Sequence, residues 1–225
     1  MHLDLKVVQL LSSRLCHDLV GPAGAVQNGI ELVKEVGCDE GEGALEIVGA
    51  SSNQLLARLA FFRLAFGKGG LIGNKVPLAE ARDLAEAFLE GSRISLDWSL
   101  EIFASVEKTI TVSAIKILLN MILVATDGLP RGGILKVSLA SEDKSQEEPA
   151  ISMAVKASGP GACLSEDLQL ALLSESLSPA ELSLSAYNIH GFFCQRLAAN
   201  ELSKIEVSHD QDEVELSVLL PQRAE

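Results

Sequence analysis

Two apolar stripes with a glycine-rich break between them set the strongest limit on the fold. Over residues 3–35, Val8, Leu11, Leu15, Leu19, Pro22, Val26, Ile30 and Val33 recur every three or four positions. That spacing puts side chains on one face of an α-helix. Over residues 43–67, Leu45, Val48, Ser52, Leu55, Leu59, Phe62 and Phe66 form a heptad-like seam, interrupted once by Ser52. The seven residues 37–43 between them, three acidic residues, three glycines and Cys38, read as a turn by composition. Two helices so joined make an antiparallel hairpin. A hairpin alone leaves apolar surface open, and a second copy completing a four-helix bundle is the natural remedy.

The first helix carries a histidine off its stripe. His17 lies roughly 160–200° from Leu15 and Leu19 at ~100° per residue. Ser13, Arg14, Gly21 and Gly24 share its face, which is therefore small or polar. Helix-interior glycines cost ~1 kcal/mol each relative to alanine. Gly21, Gly24 and Gly29 all carry that cost, which close approach of another backbone would explain. Pro22 cannot donate to the carbonyl of Asp18 and crowds it, so a bend is expected just after the histidine. Folding the hairpin about residue 40 brings Arg63, and more loosely Phe62 and Arg58, level with His17.

A different pattern begins beyond a glycine-rich linker at 67–75. A helix is expected at 77–91 with Pro77 near its start, a strand near 94–98, and an apolar helix at 112–127 closed by Gly128-Leu-Pro-Arg-Gly-Gly133. Strands at 134–141 and 150–157 flank a charged turn from Glu142 to Glu148. Helices at 166–175 and 179–199 follow, then strands at 203–208 and 213–220 across Asp210-Gln-Asp212. The fold class is α+β: a sheet with helices on one face. The division expected is residues 1–68 for the hairpin and 75–225 for the layered unit.

Composition narrows the function classes. Eighteen Lys and Arg against 31 Asp and Glu give a net charge of −13, a field that repels nucleic acid. Hydrophobic residues make up 48% but aromatics only 4%, so the core must be aliphatic. No run reaches the ~18 apolar residues of a membrane span, and neither a secretory leader nor a polybasic anchor is visible, so a cytoplasmic location is expected. Cys16, Cys38, Cys163 and Cys194 are scattered, with no C-x-x-C, and read as reduced and mostly buried. His2, His190 and His209 read as ordinary residues, and Asn120 as a polar residue inside a helix.

Leu15-Cys-His17-Asp18-Leu-Val-Gly-Pro22 resembles the phospho-acceptor box of two-component histidine kinases: a histidine, an acidic residue, three residues, a proline, then an apolar helix. Val20 and Gly21 depart from the Arg or Thr often found before that proline. The second half resembles the ATP-binding domain of the same kinases with its chemistry removed. Ile117 to Ala125 resembles the box in which an asparagine holds Mg²⁺, but that position is Val124. Val155-Lys-Ala157-Ser-Gly159-Pro-Gly161 resembles the Asp-x-Gly-x-Gly box whose aspartate recognises adenine, but that position is Ala157. No glycine occurs in residues 162–190, so the phosphate-cradling loop has no counterpart. Mg²⁺ takes oxygen ligands, which valine cannot supply.

The whole pattern, over about residues 5–222, resembles the ChpT-type histidine phosphotransferases of alphaproteobacteria. The resemblance implies a kinase-like dimerisation hairpin joined to a degenerate ATP-binding-like domain. It implies a carrier that takes phosphate from the receiver domain of a hybrid kinase and hands it to response regulators. His17 would be the phosphorylated residue and Asp18 its acidic neighbour. No cofactor or metal is assigned to this chain; Mg²⁺ would sit on the partner receiver domain. Arg14, Val20, Gly21, Ala23, Gly24, Gln27 and Arg63 are candidates for partner docking or phosphoryl neutralisation. Receiver active sites are acidic like this chain, so docking through apolar and neutral residues is expected. Two rival readings are a divergent ATP-dependent kinase core and a non-catalytic interaction scaffold.

Overall fold

The computed structural model describes residues 4–37, 42–67, 77–99, 110–141, 150–174, 179 and 181–221. Helix α1 spans Leu5–Val36 and α2 spans Glu42–Phe66; they pair as the antiparallel hairpin. Asp4 caps α1 by accepting from the Lys6 N–H at 2.9 Å, and Gly37, at φ 84°, ends it in a conformation that favours glycine. The helix runs unbroken through Pro22. The carbonyl of Asp18, which Pro22 leaves without its intrahelical donor, accepts instead from Arg58 Nη1 of α2 at 3.1 Å. Asp18 is thus level with Arg58, and Gly29 with Ala44 and Val48. This register differs from the one expected for a fold about residue 40, and the turn residues 38–41 lie outside the described residues. Arg58, not Arg63, is therefore the α2 arginine at the level of the histidine.

The glycine expectation holds at one position of three. A Cβ on Gly29 would lie 2.6 Å from Val48 Cγ2 and 3.3 Å from the Ala44 carbonyl, so this glycine lets the two helices close together. A Cβ on Gly21 or Gly24 would meet nothing within 4 Å. Their side of α1 faces open space.

The layered unit follows: α3 (Leu78–Leu89), β1 (Ile94–Trp98), α4 (Val112–Asp127), β2 (Gly133–Ser141), β3 (Ala150–Ser158), α5 (Glu166–Leu173), α6 (Ile189–Asn200), β4 (Glu206–Asp210) and β5 (Glu213–Pro221). The sheet order is β1-β2-β3-β5-β4. β1 and β2 are parallel, with Ile94 opposite Gly133, and α4 is their crossover. The other pairs are antiparallel, with Val155 opposite both Val137 and Leu216. Alternation along β2, β3 and β5 sends Leu135, Val137, Met153, Val155, Ala157, Val214, Leu216 and Val218 inward. The opposite face shows Lys136, Ser138, Lys156 and Glu215 at least partly to solvent. The fold is α+β with the helices layered on one face of the sheet.

Helix α4 is the centre of this unit. Thr111 caps it by accepting from the Ala114 N–H at 3.1 Å, and Ile117 through Ala125 are all buried. A helix apolar all round must be covered on every side, and α2, α3, α6 and the sheet cover it. The end of α2 contributes Phe61, Phe62, Leu64 and Ala65 to the same core, so packing is continuous across the chain position 68. Phe61 stacks on Phe88 at 4.2 Å between centroids.

One helix is shorter than its apolar pattern suggests. Instead of starting at 179, α6 begins at Ile189. The Asn188 side chain accepts from the Ser185 N–H at 2.8 Å and donates to the Ser183 carbonyl at 3.0 Å, holding the preceding residues in turns. Leu182 and Leu184 there pack with Ile189, Phe192 and Ala171, and this cluster seats Val7, Leu10 and Leu11 of α1. The expected turn at 142–148 and most of the linker at 67–75 lie outside the described residues. No described helix is long and apolar enough to cross a membrane.

Candidate functional site

His17 projects from the middle of α1 with its side chain 68% exposed. Its Nδ1 lies 3.2 Å from Oδ1 of Asp18, whose own side chain is only 12% exposed. The other carboxylate oxygen, Oδ2, accepts from Arg14 Nε at 2.9 Å, one helical turn back. With Nδ1 paired to an acceptor, Nε2 is the ring nitrogen left for chemistry. Tyr187, itself exposed, sets its ring edge-on to the imidazole at 6.1 Å.

Arg14 is not on the open face with the histidine. Its side chain is 11% exposed and turned toward the layered unit. There it forks onto Asp127, the last residue of α4, with Nη1 to Oδ2 at 3.2 Å and Nη2 to Oδ1 at 3.1 Å. Behind Asp127 lies His190 of α6, fully buried, with Nε2 3.1 Å from Oδ2 but without a well-aligned hydrogen bond. Burial pushes Asp127 up, but His190 and the Arg14 guanidinium outweigh it and hold the carboxyl below its usual range. Burial pushes Arg14 down, and the two carboxylates, Asp127 foremost, more than reverse this. A string of alternating groups, His17–Asp18–Arg14–Asp127–His190, thus runs from the exposed imidazole into the core.

The remaining candidates divide. Val20, 67% exposed, stands with Gly21, Ala23, Gly24 and Gln27 on the open side of α1. Gln27 Nε2 donates to Glu31 Oε1 at 2.7 Å. Arg63 is exposed on α2 and its side chain makes no hydrogen bond or ion pair among the described residues. Asp127, His190, Tyr187 and the role of Arg58 were not found from sequence. Each depends on contacts between residues far apart in the chain, and His190 had read as ordinary. Of the three described cysteines, Cys16 and Cys163 are exposed and Cys194 alone is buried, which corrects the expectation of mostly buried thiols.

The positions that would hold a nucleotide are filled with apolar side chains. Val124 and Ala157 are fully buried in one cluster with Leu129, Ala162 and Leu164. A Cβ on Gly159 would lie 2.4 Å from the Gly132 carbonyl, and Leu129 Cδ2 lies beside both Gly133 and Gly159. The Gly159 and Gly161 amides donate to the backbone and side chain of Asp212 at 3.0 and 2.6 Å. These glycines shape a packed corner. Asn120 donates to the Ala65 carbonyl at 3.0 Å and the Lys116 carbonyl at 2.8 Å, tying α4 to the end of α2. Val124 and Ala157 present no side-chain oxygen to a metal or to an adenine amino group.

The model of the histidine phosphotransferase C-terminal domain matches residues 78–213, more than half of the chain. The chain belongs to the histidine phosphotransferase family. The protein phosphotransferase ChpT of Brucella abortus (strain 2308) is 29% identical over 208 residues, covering 92% of each chain. The solved structure of a bacterial phosphotransferase superposes with a TM-score of 0.75 at 26% identity, covering 97% of this chain and 98% of that one. Family membership bears out the resemblance carried by the histidine box and the two emptied boxes.

Proposed function

We propose that this phosphotransferase accepts a phosphoryl group on His17 Nε2 from a receiver-domain aspartate and passes it to the aspartate of a response regulator, with no ATP-dependent step of its own. The observation that carries the reading is the exposed imidazole with Nδ1 against Asp18, beside an α1 surface kept open by Gly21 and Gly24. In the forward step the Nε2 lone pair attacks phosphorus in line. The N–P bond forms as the bond from phosphorus to the donor carboxylate oxygen breaks. The carboxylate leaves with the bonding electrons. Nδ1 keeps its proton, so positive charge develops on the ring. Asp18 lies where it opposes that charge and holds the proton on Nδ1. The return step to the next aspartate is the reverse. Phosphoryl transfer asks chiefly for positioning and charge neutralisation. The receiver would bring the Mg²⁺ and its acidic ligands, and this chain the nucleophile and a docking face of Val20, Gly21, Ala23, Gly24 and Gln27.

Two further features support the reading. The apolar filling of Val124, Ala157, Leu129 and Leu164 argues against phosphate supplied from ATP within this chain. Leu45, Leu56 and Leu59, each 46–62% exposed, lie on one side of α2. Together with Ile30 of α1 they give the hairpin a face for a second copy, forming a four-helix homodimer.

The deciding experiment incubates the protein with a phosphorylated receiver domain, and separately with Mg·ATP. Label is expected on the wild type from the receiver and not from ATP, with none on His17→Ala. Label on His17→Ala, or labelling by ATP alone, overturns the proposal. Scattering at fixed concentration reads the dimer, which Leu56→Lys should dissociate.

A further inference from the structure

We infer that Asp127 is a positioning residue for the reaction at His17: by taking the guanidinium fork of Arg14, it leaves a single donor for Asp18 and so fixes the carboxylate that faces the imidazole. The inference rests on the assignment of His17 as the phosphoryl acceptor.

The geometry allows little slack. Arg14 spends Nη1 and Nη2 on Asp127 at 3.2 and 3.1 Å and only Nε on Asp18, at 2.9 Å. A guanidinium fork is rigid and planar, so fixing two nitrogens fixes the third. Asp18 Oδ2 is thereby held, and with it the rotation of the carboxylate that puts Oδ1 at 3.2 Å from Nδ1. Asp127 itself is anchored at the end of the buried helix α4, with His190 at 3.1 Å behind it. Without Asp127, Arg14 is free to turn its fork onto Asp18, both of whose oxygens a bidentate guanidinium can occupy. Nδ1 then loses its acceptor, and the imidazole reverts to the other tautomer, which puts the proton on the attacking nitrogen. The same commitment means that Arg14 is a strut and not a free cation waiting for phosphate. One acidic residue of the layered unit, 113 positions away in sequence, thus orients a group on the hairpin.

The test compares wild type, Asp127→Asn, Asp127→Glu and Arg14→Lys as full chains. Two readouts are used: transfer rate from a phosphorylated receiver, and His17 imidazole ¹⁵N shifts, which report the tautomer. The wild type should hold its proton on Nδ1. Asp127→Asn should move the population toward Nε2–H and slow transfer roughly 10–100-fold, the scale of a small misplacement of a reacting group. Asp127→Glu should recover part of both. Arg14→Lys should reproduce the tautomer shift, since one ammonium cannot serve both carboxylates in fixed geometry. It carries the test if the asparagine variant fails to fold. A folded Asp127→Asn with wild-type tautomer and rate overturns the inference, as does wild-type tautomer in Arg14→Lys. If wild type takes no label from any receiver, the proposed function falls, and the ¹⁵N comparison still decides whether Asp127 sets the imidazole.

Discussion

Arg58 gives the sharpest stability prediction, because a proline creates the need that it meets. Pro22 removes the N–H that would serve the Asp18 carbonyl, and Arg58 Nη1 supplies a substitute at 3.1 Å from α2. Arg58→Met keeps the aliphatic stem and leaves that carbonyl without a donor in a half-buried interface. A polar group left unpaired on burial costs about 1–3 kcal/mol. The guanidinium also lies 5.6 Å from the Phe88 centroid, near the limit of a cation–π contact, which adds about 0.5 kcal/mol. Against this, Arg58 Nε is buried without a partner among the described residues, and removing it returns part of the loss. The net expectation is a destabilisation of about 2 kcal/mol. The informative measurement is a cycle with Pro22→Ala. Alanine restores the N–H of residue 22 and with it the intrahelical bond to Asp18, so Arg58→Met should then cost only about 1 kcal/mol. Urea unfolding followed by helical circular dichroism, at one fixed protein concentration, reads all four corners. An equal cost of Arg58→Met in both backgrounds would refute the assignment of Arg58 to the orphaned carbonyl.

Gly21→Ala and Gly24→Ala should each stabilise α1 by up to ~1 kcal/mol, since a Cβ there meets nothing, and should slow transfer if a receiver backbone approaches that face; rates and melting points together read it. Gly29→Ala should destabilise by about 1 kcal/mol despite better helix propensity, because its Cβ meets Val48 Cγ2 at 2.6 Å. Ala157→Asp should lower the melting point by burying an unpaired carboxylate and gain no Mg·ATP affinity by titration calorimetry. Burial pushes the Cys194 thiol far up, so native alkylation at pH 8 with peptide mapping should mark Cys16 and Cys163 and leave Cys194 unmodified. Asp127, with its folded value held below 3.8, contributes stability that is present above that pH and lost as pH falls through the folded value. Asp127→Asn should therefore show a shallower stability decline than wild type on acidification below about pH 4, read by denaturation at successive pH values.

The hairpin, the central helix and the alternating strands are legible in sequence because each is a local periodicity. Val8 to Val33 repeats at helical spacing, and β3 and β5 alternate residue by residue. His17 and Asp18 are legible for a different reason: neighbours in sequence are neighbours in space. Register is not local. A turn located by composition alone can shift one helix by a full turn against its partner, and that shift moved Arg63 away from the histidine and brought Arg58 in. The false start of the last helix has a similar cause, since Leu182 and Leu184 fit a helical stripe as well as they fit the Asn188-bound turns. The small residues of α1 also carried two meanings under one composition. Gly29 closes a helix contact inside the chain, while Gly21 and Gly24 keep a surface clear. Only the packing of α2 against α1 separates them.

Where the kinase resemblance would set an adenine and a metal, the layered unit carries Ala157 and Val124, and its packing shows what it does for the hairpin. It covers the end of α2, where Phe61, Phe62, Leu64 and Ala65 would otherwise stand in water, and Asn120 clamps the Ala65 carbonyl from within α4. It seats the start of α1 through Leu182, Leu184, Ile189 and Phe192. Both attachments engage the same end of the hairpin, Val7 to Leu11 of α1 and Phe61 to Ala65 of α2, and there Asp127 reaches Arg14. If His17 is the carrier proposed above, its imidazole must present one nitrogen to donor and acceptor in the same way. A hairpin held only by its own contacts would set the position of α1 but not the rotation of Asp18. The rotation is fixed through Arg14 from outside the hairpin, by Asp127 at the end of the buried helix α4. On the proposed function, the layered unit is the frame that orients the imidazole of His17.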